Sequence, residues 1–235
     1  MTTPTPDPER ERVLARVRRA LGRPAAGGDA PGATAAADRV TRPRPNTIPM
    51  RAQLQQPQLG ELFEEMVRAA QATIVRVPSP AAVPGALAAW CAERGQPATA
   101  VLAPASDLAD LDWSAAGVAV ERRLVRSGDP VGVSTAAAGI AETGTLAVLS
   151  GPANPVTGNF LPEAHVVVLD AAAVVGTPED SWAMLRELGA GDAVPLPRTV
   201  NWITGPSRTG DIEMTMQMGA HGPVRLHVIL VDGAP

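Results

Sequence analysis

The chain has 235 residues, 45% of them apolar, and a net charge of −4. That length can bury the core of one α/β domain with an extension, and the acidic balance lacks the electrostatic footprint that would hold nucleic acid or an anionic membrane. Cys91, the single cysteine, can close no internal disulfide and hold no four-cysteine iron–sulfur cluster, and with arginine as every basic residue there is no lysine for a Schiff base or a Walker-type phosphate loop.

Taken in order, the chain opens without the hydrophobic core of a signal peptide, and no eighteen-residue apolar run follows, so a cytoplasmic protein with no membrane insertion is expected. Pro8 opens a short helix carrying Val13, Leu14, Val17 and Leu21 on one stripe, and the first segment is read as residues 1–22, an amphipathic helix. Residues 23–49 are rich in Ala, Gly, Pro and Arg without periodicity, as in a disordered linker. The folded body is placed at residues 50–235. Within it Leu59, Leu62, Phe63, Met66, Val67 and Ala70 have helical spacing, and a second helix is expected across Val83 to Arg94. A third, Pro178 to Leu188, follows Thr177 as cap and turns Trp182 and Leu185 inward.

Short apolar runs at Ala72–Val77, Ala98–Ala103, Val118–Arg122, Thr145–Leu149, Val166–Asp170, Val200–Thr204 and Arg225–Val231 read as strands. Alternation with helices predicts an α/β fold with an open, mostly parallel sheet and flanking helices.

Two polar clusters interrupt this pattern. In the first, Glu142, Thr143, Gly144 and Thr145 precede a strand and Ser150 follows it. Glu142 is a candidate base or nucleophile, Gly144 permits close backbone approach, and the hydroxyls of Thr143, Thr145 and Ser150 are candidate ligand contacts; a tight turn with solvated side chains explains the same residues. In the second, Gly205 and Pro206 end a strand and Ser207 or Thr209 can cap a helix with Asp211 and Glu213 in its first turn. Arg208 beside such a helix start makes a receptor for an oxyanion, and His221 would stand at the helix end. Met214, Met216 and Met218 alternate in a way that one helical stripe cannot accommodate. His165 and His227 have no spacing typical of metal sites and read as core or edge histidines.

The residues AETGTLAVLSG, 141–151, and GPSRTGDIEMTMQMGAHGPVRLHVILVDG, 205–233, resemble the LUD domain of the lactate utilization protein C family. That resemblance implies a fold similar to the NagB/RpiA/CoA-transferase group, with a ligand crevice at the strand ends. It also implies a part in oxidation of L-lactate to pyruvate, beside an iron–sulfur subunit and a flavin- or cysteine-rich subunit that carry the electrons. With one cysteine and no Gly-rich dinucleotide fingerprint, this chain is read as an accessory, small-anion-binding subunit with no cofactor of its own. Two alternatives remain open: an enzyme of CoA-transferase or sugar-phosphate-isomerase type using Glu142, and a pure complex scaffold.

Overall fold

The computed structural model describes residues 8–22, 32, 34–35, 38–39, 46–189, 197–212 and 215–233. It divides into two units, Met1–Thr47 and Ile48–Pro235. In the first, helix α1 (Pro8–Ala20) has no buried residue, and Val13, Val17 and Leu21 are all exposed. Most of the expected linker lies outside the described residues, although residues 34–35 and 38–39 are helical.

The second unit is built on a six-stranded sheet in the order β1-β12-β7-β4-β2-β3, every neighbouring pair parallel. Its strands are β1 (Thr73–Val77), β2 (Thr99–Leu102), β3 (Ala119–Arg122), β4 (Val131–Thr135), β7 (Ala164–Asp170) and β12 (Arg225–Val231). Both faces are covered, which is why β7 and β12 read as nearly continuous apolar runs, each with one buried histidine, rather than alternating ones. Val166, Val168, Ile229 and Val231 face one core with Val83, Leu87 and Trp90 of helix α3 (Val83–Ala92). Their neighbours Val167, Leu169, Val228 and Leu230 face the other, with Phe63 and Val67 of helix α2 (Gln58–Ala69). Successive strand residues point to opposite faces, so one run of sequence fills both cores.

Above the α2 face lies a second sheet, ordered β8-β5-β6-β9, from β5 (Ala138–Ile140), β6 (Thr145–Leu149), β8 (Val174–Val175) and β9 (Val200–Ile203). β4 and β5 are absent from the expected strands because each carries an interior glycine, a residue with no side chain to mark a strand. The packing demands both glycines: a Cβ on Gly132 would stand 2.9 Å from Pro162, and one on Gly139 2.6 Å from Leu169.

Helix α4 (Pro178–Gly189) starts as expected, the Asp180 amide donating to Thr177 Oγ1 at 3.2 Å while the Asp180 carboxylate accepts from the Thr177 amide and hydroxyl. Trp182 departs from its expected inward setting. Ser181 and Leu185, four apart, take the buried side, which leaves Trp182 on the exposed flank, 5.6 Å from the ring of Trp202.

The larger correction concerns residues 205–221. No helix starts at Ser207; β10 (Arg208–Ile212) and β11 (Thr215–Met218) form an antiparallel hairpin instead. Met216 and Met218, two of the alternating methionines that fit no helical stripe, both belong to β11, whose side chains have a two-residue period. Glu213 and Met214 lie outside the described residues, Asp211 belongs to β10, and His221 stands in the turn after β11 rather than at a helix end.

Candidate functional site

The two polar clusters of the sequence meet on the last turns of α2, and glycine geometry explains why. Gly144, at φ 65°, lies so close that a Cβ would stand 2.5 Å from the Val67 amide nitrogen, and Gly205, at φ 70°, presses equally closely on the Ala70 carbonyl. Both positions need a residue without a Cβ that tolerates positive φ. A hydroxyl chain then links the clusters: Thr143 Oγ1 is 2.7 Å from Thr145 Oγ1, which is 2.6 Å from Thr204 Oγ1. Ser150 is engaged elsewhere, accepting from the Thr199 amide at the far end of the β6–β9 pair.

Beyond Thr204 the chain opens a cavity of about 250 Å³. Its lining includes the segment 203–208 and the return segment His221–Pro223. Ser207 clamps the two together: its amide donates to the Pro223 carbonyl at 2.9 Å, its carbonyl accepts from Gly219 at 2.9 Å, and its Oγ accepts from the His221 amide at 3.3 Å. The buried part of the lining includes Asn159, His165 and Leu226, and the exposed part includes Phe160, Trp202, Arg208 and His221. His165 and Leu226 are register partners near the beginnings of β7 and β12. The cavity therefore sits at the strand ends, as expected, and at the amino ends of the central parallel strands rather than the carboxyl ends where open α/β sheets usually bind ligands.

Three polar groups in this lining have capacity left over. Asn159 is 2% exposed, and neither its amide oxygen nor its nitrogen has a partner among the described residues. His165 is buried with Nε2 2.7 Å from Ser134 Oγ and with Nδ1 unpartnered. Burial drives its pKa down to about 4, so the ring is neutral at neutral pH. Where the Ser134 hydroxyl donates to Nε2, the ring proton sits on Nδ1 and is left as a donor. Among the described residues the Arg208 guanidinium makes one bond, to the neutral Gln71 amide oxygen at 3.4 Å, and no described carboxylate lies within ion-pair distance of it. The guanidiniums of Arg68, Arg76, Arg94 and Arg123 are each held by an acidic side chain. A cavity that offers a guanidinium, a carboxamide and an imidazole N–H is suited to an oxyanion.

Of the residues singled out in the sequence, Gly205, Ser207, Arg208 and His221 line this cavity. Thr145 touches its wall through Thr204, while Thr209 is buried in β10. Glu142 does not line it. Its amide donates to the Gly176 carbonyl and its carboxylate is 3.9 Å from Arg51. Asn159 and His165 were not among the expected site residues. The one available signal was polarity out of place, an Asn and a His on either side of the run Phe160–Ala164.

Among the described residues there is no group of three His, Cys, Asp or Glu side chains placed to hold a metal ion, and no helix long and apolar enough to cross a membrane. Cys91 is fully buried in the α3 core, and burial pushes its thiol pKa up.

Comparison with known proteins places this architecture. Residues 60–231 match the sequence profile of the LUD domain. Similar sequences include lactate utilization protein C of an Exiguobacterium species, 32% identical over 119 residues covering 51% of each chain. The same-named protein of Geobacillus thermodenitrificans is 34% identical over 43% of this chain and 42% of its own. That of Bacillus subtilis is 31% identical over the same shares, 43% and 42%. The chain spans about half the length of the curated relatives it matches. In fold it is similar to the crystal structure of a DUF162 family protein from Deinococcus radiodurans, with a TM-score of 0.55 and 23% identity over 76% of this chain and 99% of that one.

Proposed function

The chain belongs to the LUD-domain family, and from that premise we propose that it is an accessory, small-anion-binding component of L-lactate utilization, the process for which its relatives are named. The observation that carries the binding part is the meeting, in one cavity, of an Arg208 guanidinium without a described carboxylate partner and the unsatisfied polar atoms of Asn159 and His165. Buried polar groups without partners cost stability, on the order of 1–3 kcal/mol each. A carboxylate ligand satisfies them: the guanidinium takes its charge, and Asn159 and His165 hold its oxygens through N–H donors. A 2-hydroxy or 2-oxo acid adds a further oxygen for Ser207 or Thr204 at the cavity wall.

Electron transfer in this reading belongs to iron–sulfur and cysteine-rich partner subunits, since one buried thiol gives this chain no ligand set for a cluster. Calorimetric titration of L-lactate and pyruvate into the full chain tests the proposal. Saturable binding that weakens roughly tenfold or more in Arg208→Gln, the usual cost of losing a charge-assisted bond, is the expected result. Absence of binding, or equal binding in the variant, contradicts it. Co-purification with the cysteine-rich and iron–sulfur partners tests the assembly part separately.

A further inference from the structure

The second buried histidine lies on the opposite face of the central sheet. His227 follows Leu226 in β12, so it points away from the Arg208 cavity and toward α3. It is 3% exposed and stacks on Trp90, ring centroids 5.0 Å apart and 22° from parallel. Trp90 Nε1–H donates to Thr73 Oγ1 at 3.1 Å, and Thr73 Oγ1 is 2.8 Å from His227 Nδ1. Indole nitrogen can only donate, so the Thr73 oxygen is the acceptor there and its own proton is free for Nδ1. The competing acceptor, the Leu226 carbonyl, is at 3.5 Å, the far limit of a hydrogen bond. With the Thr73 hydroxyl donating to Nδ1 the ring proton sits on Nε2, and Nε2 has no partner among the described residues. Burial, with Arg94 nearby, keeps the ring neutral by lowering its pKa to about 4.

The same ring lines an open groove of about 360 Å³ between α3 and the edge strand β1. Ala72, Ile74, Ala86 and Ala89 give it apolar walls. Arg94 lies 4.3 Å over the Trp90 ring and, among the described residues, bonds through Nη1 alone, donating to the Trp90 carbonyl and to Glu93. The Glu93 side chain is 73% exposed, so this pair is of the weak surface kind and a second carboxylate can replace it at little cost.

We propose that this groove is a second binding site, distinct from the Arg208 cavity, for a small monocarboxylate with an apolar body. Its carboxylate accepts from His227 Nε2–H and the Arg94 guanidinium, and its hydrocarbon part lies against the alanine and isoleucine walls. Butyrate and benzoate, with inorganic phosphate as the anion lacking an apolar body, are titrated into the full chain labelled with 15N-histidine. The expected result is a saturable shift of the His227 Nε2 resonance with butyrate and benzoate but not with phosphate. The affinity should fall roughly tenfold or more in Arg94→Gln and be unchanged in Arg208→Gln. No saturable shift at His227, or one undiminished in Arg94→Gln, overturns the proposal. Loss of the shift in Arg208→Gln would assign the binding to the first cavity, and an equal response to phosphate would remove the apolar-body class.

Discussion

The Glu142–Thr145 turn and the Thr204–Arg208 segment begin alike, each with a positive-φ glycine pressed on the end of α2, and they end differently. In the first, the threonine hydroxyls bond within the fold, the Glu142 amide reaches a carbonyl, and the carboxylate has Arg51 beside it. In the second, Ser207 closes the loop while Arg208, together with Asn159 and His165 of the same cavity lining, keeps bonding capacity in reserve. A polar, glycine-rich motif is therefore not a site by composition. Whether its hydrogen bonds close on the protein separates a fold-holding turn from a ligand-holding one.

The common half of that comparison breaks first. Gly144→Val and Gly205→Val each place a β-branched side chain at positive φ against helix backbone, and each should cost more than about 3 kcal/mol. Thermal melts check this, and a tolerated substitution at either position means that the packing on α2 is not what the glycine serves.

Next in size is the pH response of the buried histidines, both with pKa lowered to about 4 from an ordinary 6.5. Between those values the unfolded chain takes up protons that the folded chain refuses, so stability is intact above pH 6.5 and is lost as pH falls toward 4. The loss reaches about 3 kcal/mol per histidine. Denaturant titrations across this window should give a slope that His165→Gln halves. A flat profile down to pH 5 contradicts the buried neutral rings.

Asn159→Leu sharpens the contrast at a smaller scale. Removing two unsatisfied buried atoms for a side chain of similar size should stabilise the ligand-free protein by about 1–3 kcal/mol while abolishing anion binding. A destabilised variant that still binds would place Asn159 in the fold-holding class. Smallest of all is Glu142→Gln, which gives up an ion pair whose Arg51 side is largely exposed. Stability should change by less than about 1 kcal/mol and anion affinity not at all.

How much of this was legible in the sequence follows the same division. β7 and β12 announce themselves because burial on both faces leaves mostly apolar residues, and α2 through its 3.6-residue stripe ending in Phe63 and Val67. Gly132 and Gly139 hid β4 and β5, since what makes them strands is the Pro162 and Leu169 side chains packed against them from far along the chain. Ser207, Thr209 and Asp211 suit a helix start as well as a hairpin, and the pairing of Arg208 with Met218 decides for the hairpin. The motif exposed Gly205, Ser207 and Arg208 as candidates. Asn159 and His165 join them only through the parallel register that sets His165 beside Leu226, which no local pattern encodes.

The most direct test of the central claim is the backbone-amide footprint of pyruvate on the 15N-labelled chain. The perturbed amides should cluster at Asn159, His165, Ser207, Arg208 and His221, with Glu142 and Arg51 unmoved. A footprint centred on Glu142 to Thr145 and Arg51, with the cavity lining silent, would contradict it and return the site to the other motif.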